Sequence, residues 1–378
     1  MAVGVVAELA AQARASGRLG IDTEFMGEGR YRALLCLIQV AVETDDGVRV
    51  EVLDPLTEEF DPAPLAALLA DPEIQVVLHA GRQDVALLRR EWSTELRGIF
   101  DTQVAAGFAG LRAQLGYEAL LHEMVGVRLR KSASFTRWDT RPLSSEQVGY
   151  AREDVLHLLQ LADALQATLR DRGRLDWALE ECRALEDASD ERAPDAVFQR
   201  LPRVNSLEPS QRAVAFELVR WREDTARETD RPVPSVLADA ALGHLDERLA
   251  QIRGLNESTL RRRGRAILQV VERGRERDPI PVDGDRPTPT DVRDAPLIAL
   301  GEALVRARAS ESELAYELIA ARADLQRIVT SVRTSSAEPD VRTLQGWRRA
   351  VVGEELLELL QGRRSLRVGP GRMIEVTD

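Results

Sequence analysis

The sequence predicts an α/β domain built on a mixed sheet, followed by all-α domains. Three observations carry this expectation. Short apolar runs rich in branched residues alternate with helix-period segments up to about residue 172. Polar, proline-broken stretches interrupt the chain near residue 186 and at 278–296, and the segments beyond each break have helical spacing. At 378 residues the chain also exceeds one typical domain.

In chain order, MAVGVVAELAAQARASG reads as an amphipathic helix, without the basic stretch that opens a secretion signal. LGIDTEF, LLCLIQVAVE and VRVEVLDPL predict three successive strands. PLAALLADP is helical, IQVVLHA a fourth strand and RQDVALLRREW a helix; GIFDTQVAAGFAG is a strand running into a helix. Apolar spacing is helical from about Tyr117 to Arg172. EDASDERAPDAVFQRLPRVNS, broken by Pro194 and Pro202, predicts a linker. Residues 207–278 predict helices with turns at Arg231-Pro232 and Gly254, whereas DPIPVDGDRPTPTDVRDAP carries five prolines in 19 residues and cannot be one. Helical spacing returns over 297–368. The domains expected are 1–185, 207–278 and 295–370.

Composition narrows the function. With 44% hydrophobic and 30% charged residues the chain fits a soluble globular protein, and no run reaches the roughly 18 apolar residues of a membrane span. Cys36 and Cys182 stand alone, which excludes a disulfide scaffold or cysteine zinc site and suits a reducing cytoplasm. A net charge of −12 argues against a protein that coats nucleic acid nonspecifically, but leaves local basic patches open. A monomer is expected, because no long heptad run is present.

Asp22 and Glu24 are two apart in a predicted strand, so both leave one face. Paired carboxylates there repel and resist burial, a cost that a bound cation removes. Alone, the pair also fits a solvated strand end. Asp84 follows the IQVVLHA strand where a helix begins, a place the helix dipole already favours for an acid. Tyr150 and Asp154 sit one turn apart in QVGYAREDVLHLLQLADAL; alone they also fit a buried tyrosine beside a surface acid.

Together, GIDTEF, VLHAGRQDVALL and YAREDV resemble, in order, the three exonuclease motifs of the DEDD superfamily. YRALLCLIQ, IFDTQVAAGFAG, LGYEALL and WDTRPLSSEQVGYAREDV extend the resemblance to the ribonuclease D family over roughly residues 18–170. The resemblance implies a ribonuclease H-like exonuclease domain with a five-stranded sheet. Tyr150, four residues before Asp154, marks the tyrosine branch; Gly149 stands where the histidine branch has its histidine, and His157 reads as a surface or packing residue. Arg137 precedes Trp138 where the family commonly has aspartate. SLEPSQRAVAFELVRWREDTARETDRPVPSVLADAAL resembles the HRDC module, and LAYELIAARADLQRIV with LQGWRRAVVGEELLELL the family's second helical HRDC-like domain.

The resemblance implies a 3′→5′ exoribonuclease that releases nucleoside 5′-monophosphates from accessible RNA 3′ ends, with tRNA precursors as expected substrates. Asp22, Glu24, Asp84 and Asp154 are the implied ligands of two divalent cations, Mg²⁺ or Mn²⁺, and carboxylate oxygens suit such hard ions. Tyr150 is expected to orient the attacking water. Phe25, His79 and Gln83 are candidate substrate contacts, with packing an equal alternative. Trp138 and Arg141 are read as structural. Within 248–277, nine arginines against three acids make Arg261, Arg262 and Arg263 candidate phosphate contacts, or else a solvated helix face. Single-stranded DNA remains an alternative substrate, and a noncatalytic RNA-binding scaffold an alternative function.

Overall fold

Gly17, with φ of 74°, turns the chain out of α1 (Ala2–Ser16) into β1 (Arg18–Met26), the strand around which the first domain is built. This computed structural model describes residues 2–57, 61–111, 114–129, 137–201, 204–239, 257–282 and 291–377. The predicted turn at Gly254 and residues 283–290 of the proline-rich segment fall outside these. β2 (Leu34–Thr44) pairs antiparallel with β1 and β3 (Gly47–Leu53) antiparallel with β2, while β4 (Gln75–Leu78) pairs parallel on the other side of β1 and β5 (Ile99–Asp101) parallel with β4. The order β3-β2-β1-β4-β5 is the expected mixed five-stranded sheet. Parallel pairing needs crossovers, which α2 (Ala63–Leu69) and α3 (Arg82–Trp92) supply. β2 is buried from Leu35 to Val42 because α1 and α6 (Ser145–Leu156) both pack on it.

α4 (Thr102–Phe108) and α5 (Tyr117–Val125) lead to a run, 137–143, that is not helical as the spacing had suggested. It is tied to the sheet instead. Arg141 holds both oxygens of Asp54 at 2.6 Å and donates to the Cys36 carbonyl, and buried Trp138 packs on Cys36, Leu37 and Ala151. A Ser144–Gln147 capping box then starts α6. The predicted continuous helix breaks at His157, where α7 (Leu158–Asp171) begins. α6 lies on β1, β2 and β3 whereas α7 serves α4, α5 and β4, so the apolar stripe changes direction there. α8 (Leu175–Glu186) follows.

The predicted linker contains a short helix, α9 (Pro194–Gln199). Its proline stands in the first turn, where a missing N–H costs nothing. Phe198 buries its ring edge-on against Phe216 of α10 (Pro209–Glu228), centroids 5.4 Å apart. α10 pairs with α11 (Glu257–Glu276) around Leu218, Ile267 and Val270.

α12 (Asp294–Glu311), α13 (Arg322–Thr334) and α14 (Glu354–Leu360) form the last helical region, which shares one core with the first domain. Trp347 stacks on Trp177 at 5.4 Å and meets Phe108 edge-on at 5.1 Å. Leu318 lies so close to Gly107 that a Cβ there would stand 2.8 Å from its methyl. Helix was expected up to residue 368, but it ends at Leu360, where Gly362 follows with φ of 72°, and the chain closes as a hairpin of β6 (Ser365–Val368) and β7 (Ile374–Thr377) whose connection includes Gly371, φ 75°. Among the described residues no helix is long and apolar enough to cross a membrane.

Candidate active site

Alternation along β1 sends Asp22 and Glu24 out of one face, opposite Gln39 and Leu37 of β2. The register slips between Glu24 and Phe25, which re-aims the strand as it leaves the pair. Asp84 is in the first turn of α3 and buried, accepting a hydrogen bond from the Thr23 hydroxyl. The turn that delivers it is demanding. Ala80 has φ of 55°, and a Cβ at Gly81 would fall 2.7 Å from that of Leu78. Asp101 clamps this turn, accepting from the amides of Ala80 (3.1 Å) and Gly81 (2.8 Å) while capping α4 through those of Gln103 and Val104. From the opposite side α6 presents Asp154, which receives a hydrogen bond from the Tyr150 hydroxyl one turn earlier.

The acids share one electrostatic environment. Burial raises Asp22 well above the usual carboxylate range, helped by repulsion from Asp84, Asp154 and Glu24. Glu24 is pushed up to about 8 by burial and by Asp154 and Asp84. Asp154 reaches about 7, again through burial, against the opposing pull of Tyr150. Burial also raises Asp84, against the Thr23 hydrogen bond. No cation figures among the causes of any of these shifts.

Two polar groups that sequence reasoning passed over face the same space. Gln39, opposite Asp22, is fully buried with neither amide atom hydrogen-bonded, and Tyr117 buries a hydroxyl without a well-formed hydrogen bond within electrostatic reach of Asp154 and Asp22. The signal for Gln39 was a lone amide in an otherwise apolar stretch of β2. Unpartnered amide, unpartnered hydroxyl and four repelling hard oxygen donors fit a divalent cation. Among the described residues, no group of three or more acidic, imidazole or thiol side chains already forms a ready-made metal cage.

The remaining predicted contacts separate. Phe25 and Gln83 line one cleft, whose walls include none of the four acids. His79 points its Nδ1 at Thr102 Oγ1, 2.9 Å away, and lies 5.4 Å from the Tyr117 ring; burial lowers its pKa, so it packs as a neutral ring. Arg261, Arg262 and Arg263 are on α11, whose partner is α10, rather than on the elements that carry the acids. Arg261 and Arg262 are exposed, and Arg263 donates to the Ser235 carbonyl at 2.9 Å.

Residues 5–170 match the family model described as 3′-5′ exonuclease, and residues 211–271 match the HRDC domain. Ribonuclease D of Acidiphilium cryptum is 35% identical over 372 residues, covering 95% of this chain and 91% of that protein. Ribonuclease D of Nitrobacter hamburgensis is 34% identical, covering 94% and 93%. The chain belongs to the ribonuclease D family. The crystal structure of Escherichia coli RNase D, described as an exoribonuclease involved in structured RNA processing, superposes with a TM-score of 0.82 at 28% identity, over 96% of this chain and 98% of that one. As a ribonuclease D family member the protein is an exoribonuclease, and its 3′-5′ exonuclease family implies dependence on a divalent metal.

Proposed function

We propose that Asp22, Glu24, Asp84 and Asp154 hold two divalent cations, Mg²⁺ or Mn²⁺, and that the protein trims RNA 3′ ends to nucleoside 5′-monophosphates. One observation carries this: four carboxylates from a strand and two helices lie within electrostatic reach of one another, and among the described residues no cationic side chain offsets their raised pKa values. When bound, two such ions supply an activated water and stabilise the leaving 3′-oxygen of an in-line displacement.

The chain's own residues do the positioning. Burial and the neighbouring acids raise the Tyr150 pKa above its ordinary value of 10, so the phenol stays protonated. Its proton goes to Asp154, which fixes that carboxylate, and its lone pairs remain to orient water. Asp101 and Gly81 hold the turn that aims Asp84. The Phe25 ring offers a face for the terminal base. Arg261 and Arg262, exposed on α11, contact phosphates farther along the strand. We assign domains to 1–185, 207–278 and 295–370, and a monomer acting in the cytoplasm on structured RNA, tRNA precursors among it. The E. coli relative's described role in structured RNA processing supports the substrate class.

The test is Mg²⁺-dependent trimming of a 3′-extended tRNA and of matched single-stranded RNA and DNA, with mononucleotides identified. Asp154→Asn is expected to abolish release and Tyr150→Phe to slow turnover while metal binding persists. Metal-independent release, or full activity of Asp154→Asn, defeats the reading; faster cleavage of DNA reassigns the substrate.

A further inference from the structure

The cleft that holds Phe25 and Gln83 extends away from the acids as a pocket of about 510 Å³, within the range that takes a nucleotide-sized ligand. Its walls come from three places: the end of β1 and the loop after it, the first two turns of α3, and residues 188–192 of the segment leading to the HRDC module. Four charged side chains line it: Arg32, Arg82, Asp190 and Arg192. Two are already neutralised. Asp190 is paired with Arg90, and Arg192 holds Glu223 of the HRDC module through both carboxylate oxygens, at 2.8 and 2.9 Å.

The other two are not. Among the described residues, neither Arg32 nor Arg82 forms an ion pair or hydrogen bond, and the Nε of Arg32 is buried without a partner. A buried guanidinium N–H left unsatisfied is costly unless a ligand accepts from it. α3 adds to the field. It begins at Arg82 with no side-chain cap, so the positive end of its dipole lies at the pocket wall. Phe25 follows Glu24 on β1 and Gln83 precedes Asp84 on α3, so the pocket is built on the same elements that carry two of the acids.

We propose that this pocket is a phosphate-binding subsite for one nucleotide of the RNA strand, with Arg32 and Arg82 taking its phosphate. The inference rests on reading the four acids as the hydrolytic site. It also gives the HRDC module a part in the site's construction, because Glu223 holds Arg192 in the pocket wall.

Binding separates this idea from the chemistry. In the Asp154→Asn background, the Kd of fluorescein-labelled single-stranded RNA is measured with and without Arg82→Gln and Arg32→Gln over a salt series. Arg82 is exposed and makes no bond in the fold, so its variant tests the subsite without a folding cost. Each substitution is expected to weaken binding about 5-fold and to lower the slope of log affinity against log salt by about 0.7, the single-strand value for one phosphate. AMP supplies the second arm. Competition by AMP that both variants weaken places the released monophosphate in the pocket, and its absence with weakened RNA binding places a strand phosphate there. Unchanged Kd and slope for both variants overturn the subsite. Failure of wild-type protein to release nucleotides, with these binding changes intact, would instead count against the hydrolytic reading alone.

Discussion

The two helical regions are attached to the exonuclease body with different shares of apolar contact and charge. The last one shares its core: Trp347 lies between Trp177 and Phe108, and Leu318 fits over Gly107, with the ion pairs Arg348–Glu181 and Arg172–Glu313 added at the seam. The HRDC module is joined mainly by charge. Arg30 pairs with Asp230 at 2.8 Å, Arg192 holds Glu223, and Tyr31 donates to Glu223 at 3.2 Å beneath the Arg227 guanidinium. Among the described residues, Ala226, Val233 and Val236, with Tyr31 and Trp221, add a small apolar patch. An apolar joint follows its buried area and is indifferent to salt, whereas a charged one weakens as ions screen it. The first region is thus part of the catalytic body's folding unit, and the second is a module whose hold on the cleft depends on conditions.

The largest test breaks the apolar joint. Trp347→Ala is expected to cost about 3–5 kcal/mol, seen as a lower Tm with loss of exonuclease activity at the same temperature. A loss under about 1 kcal/mol would mean the core is not shared. Next, Glu223→Gln removes the buried carboxylate that serves Arg192 and Tyr31. With Arg192 partly exposed, about 1–3 kcal/mol is expected, as earlier protease cleavage near residue 192 while activity on a dinucleotide persists.

A pH series isolates the cleft from both joints. Glu24 at about 8 and Asp154 at about 7 lie above their ordinary 4.5 and 3.8, so the folded protein binds these protons more tightly than the unfolded chain. The stability they contribute is full below about pH 4 and is lost as pH rises through 7 and 8. Metal-free protein should therefore melt lower at pH 8.5 than at pH 5.5, and saturating Mg²⁺ should flatten the slope; a slope unchanged in Glu24→Gln would remove this cause. Raising salt from 0.1 to 1 M shortens the screening length from about 10 to about 3 Å. Hydrogen exchange should then quicken at the Tyr31 amide, bonded to Asp230 at 3.1 Å, and stay slow near Trp347. Smallest, Tyr31→Phe deletes the hydroxyl that donates to Glu223 and accepts from Arg227 at 3.4 Å, and should cost about 0.5–1.5 kcal/mol by denaturant titration.

Period made the sheet readable. The spacings of Asp22 and Glu24 in a strand and of Tyr150 and Asp154 in a helix place each pair on one face, but only the ordered family motifs single them out as site residues. What escaped depends on contacts distant in sequence. The break at His157 arises because two layers demand different directions of one apolar stripe, which local spacing does not record. Tyr31 looks like a loop aromatic until Glu223, 192 residues later, supplies its partner. Asp101 looked like the end of a strand, and only the fold shows it gripping the Ala80–Gly81 turn. The short helix at Pro194–Gln199 was hidden by the very proline that starts it.

The Leu318–Gly107 fit also limits how such enzymes can be recombined. Transplanting the terminal helices of this chain onto a relative's nuclease body would go most smoothly where the receiving position is a glycine, since a larger residue would force the methyl of the incoming leucine to move aside.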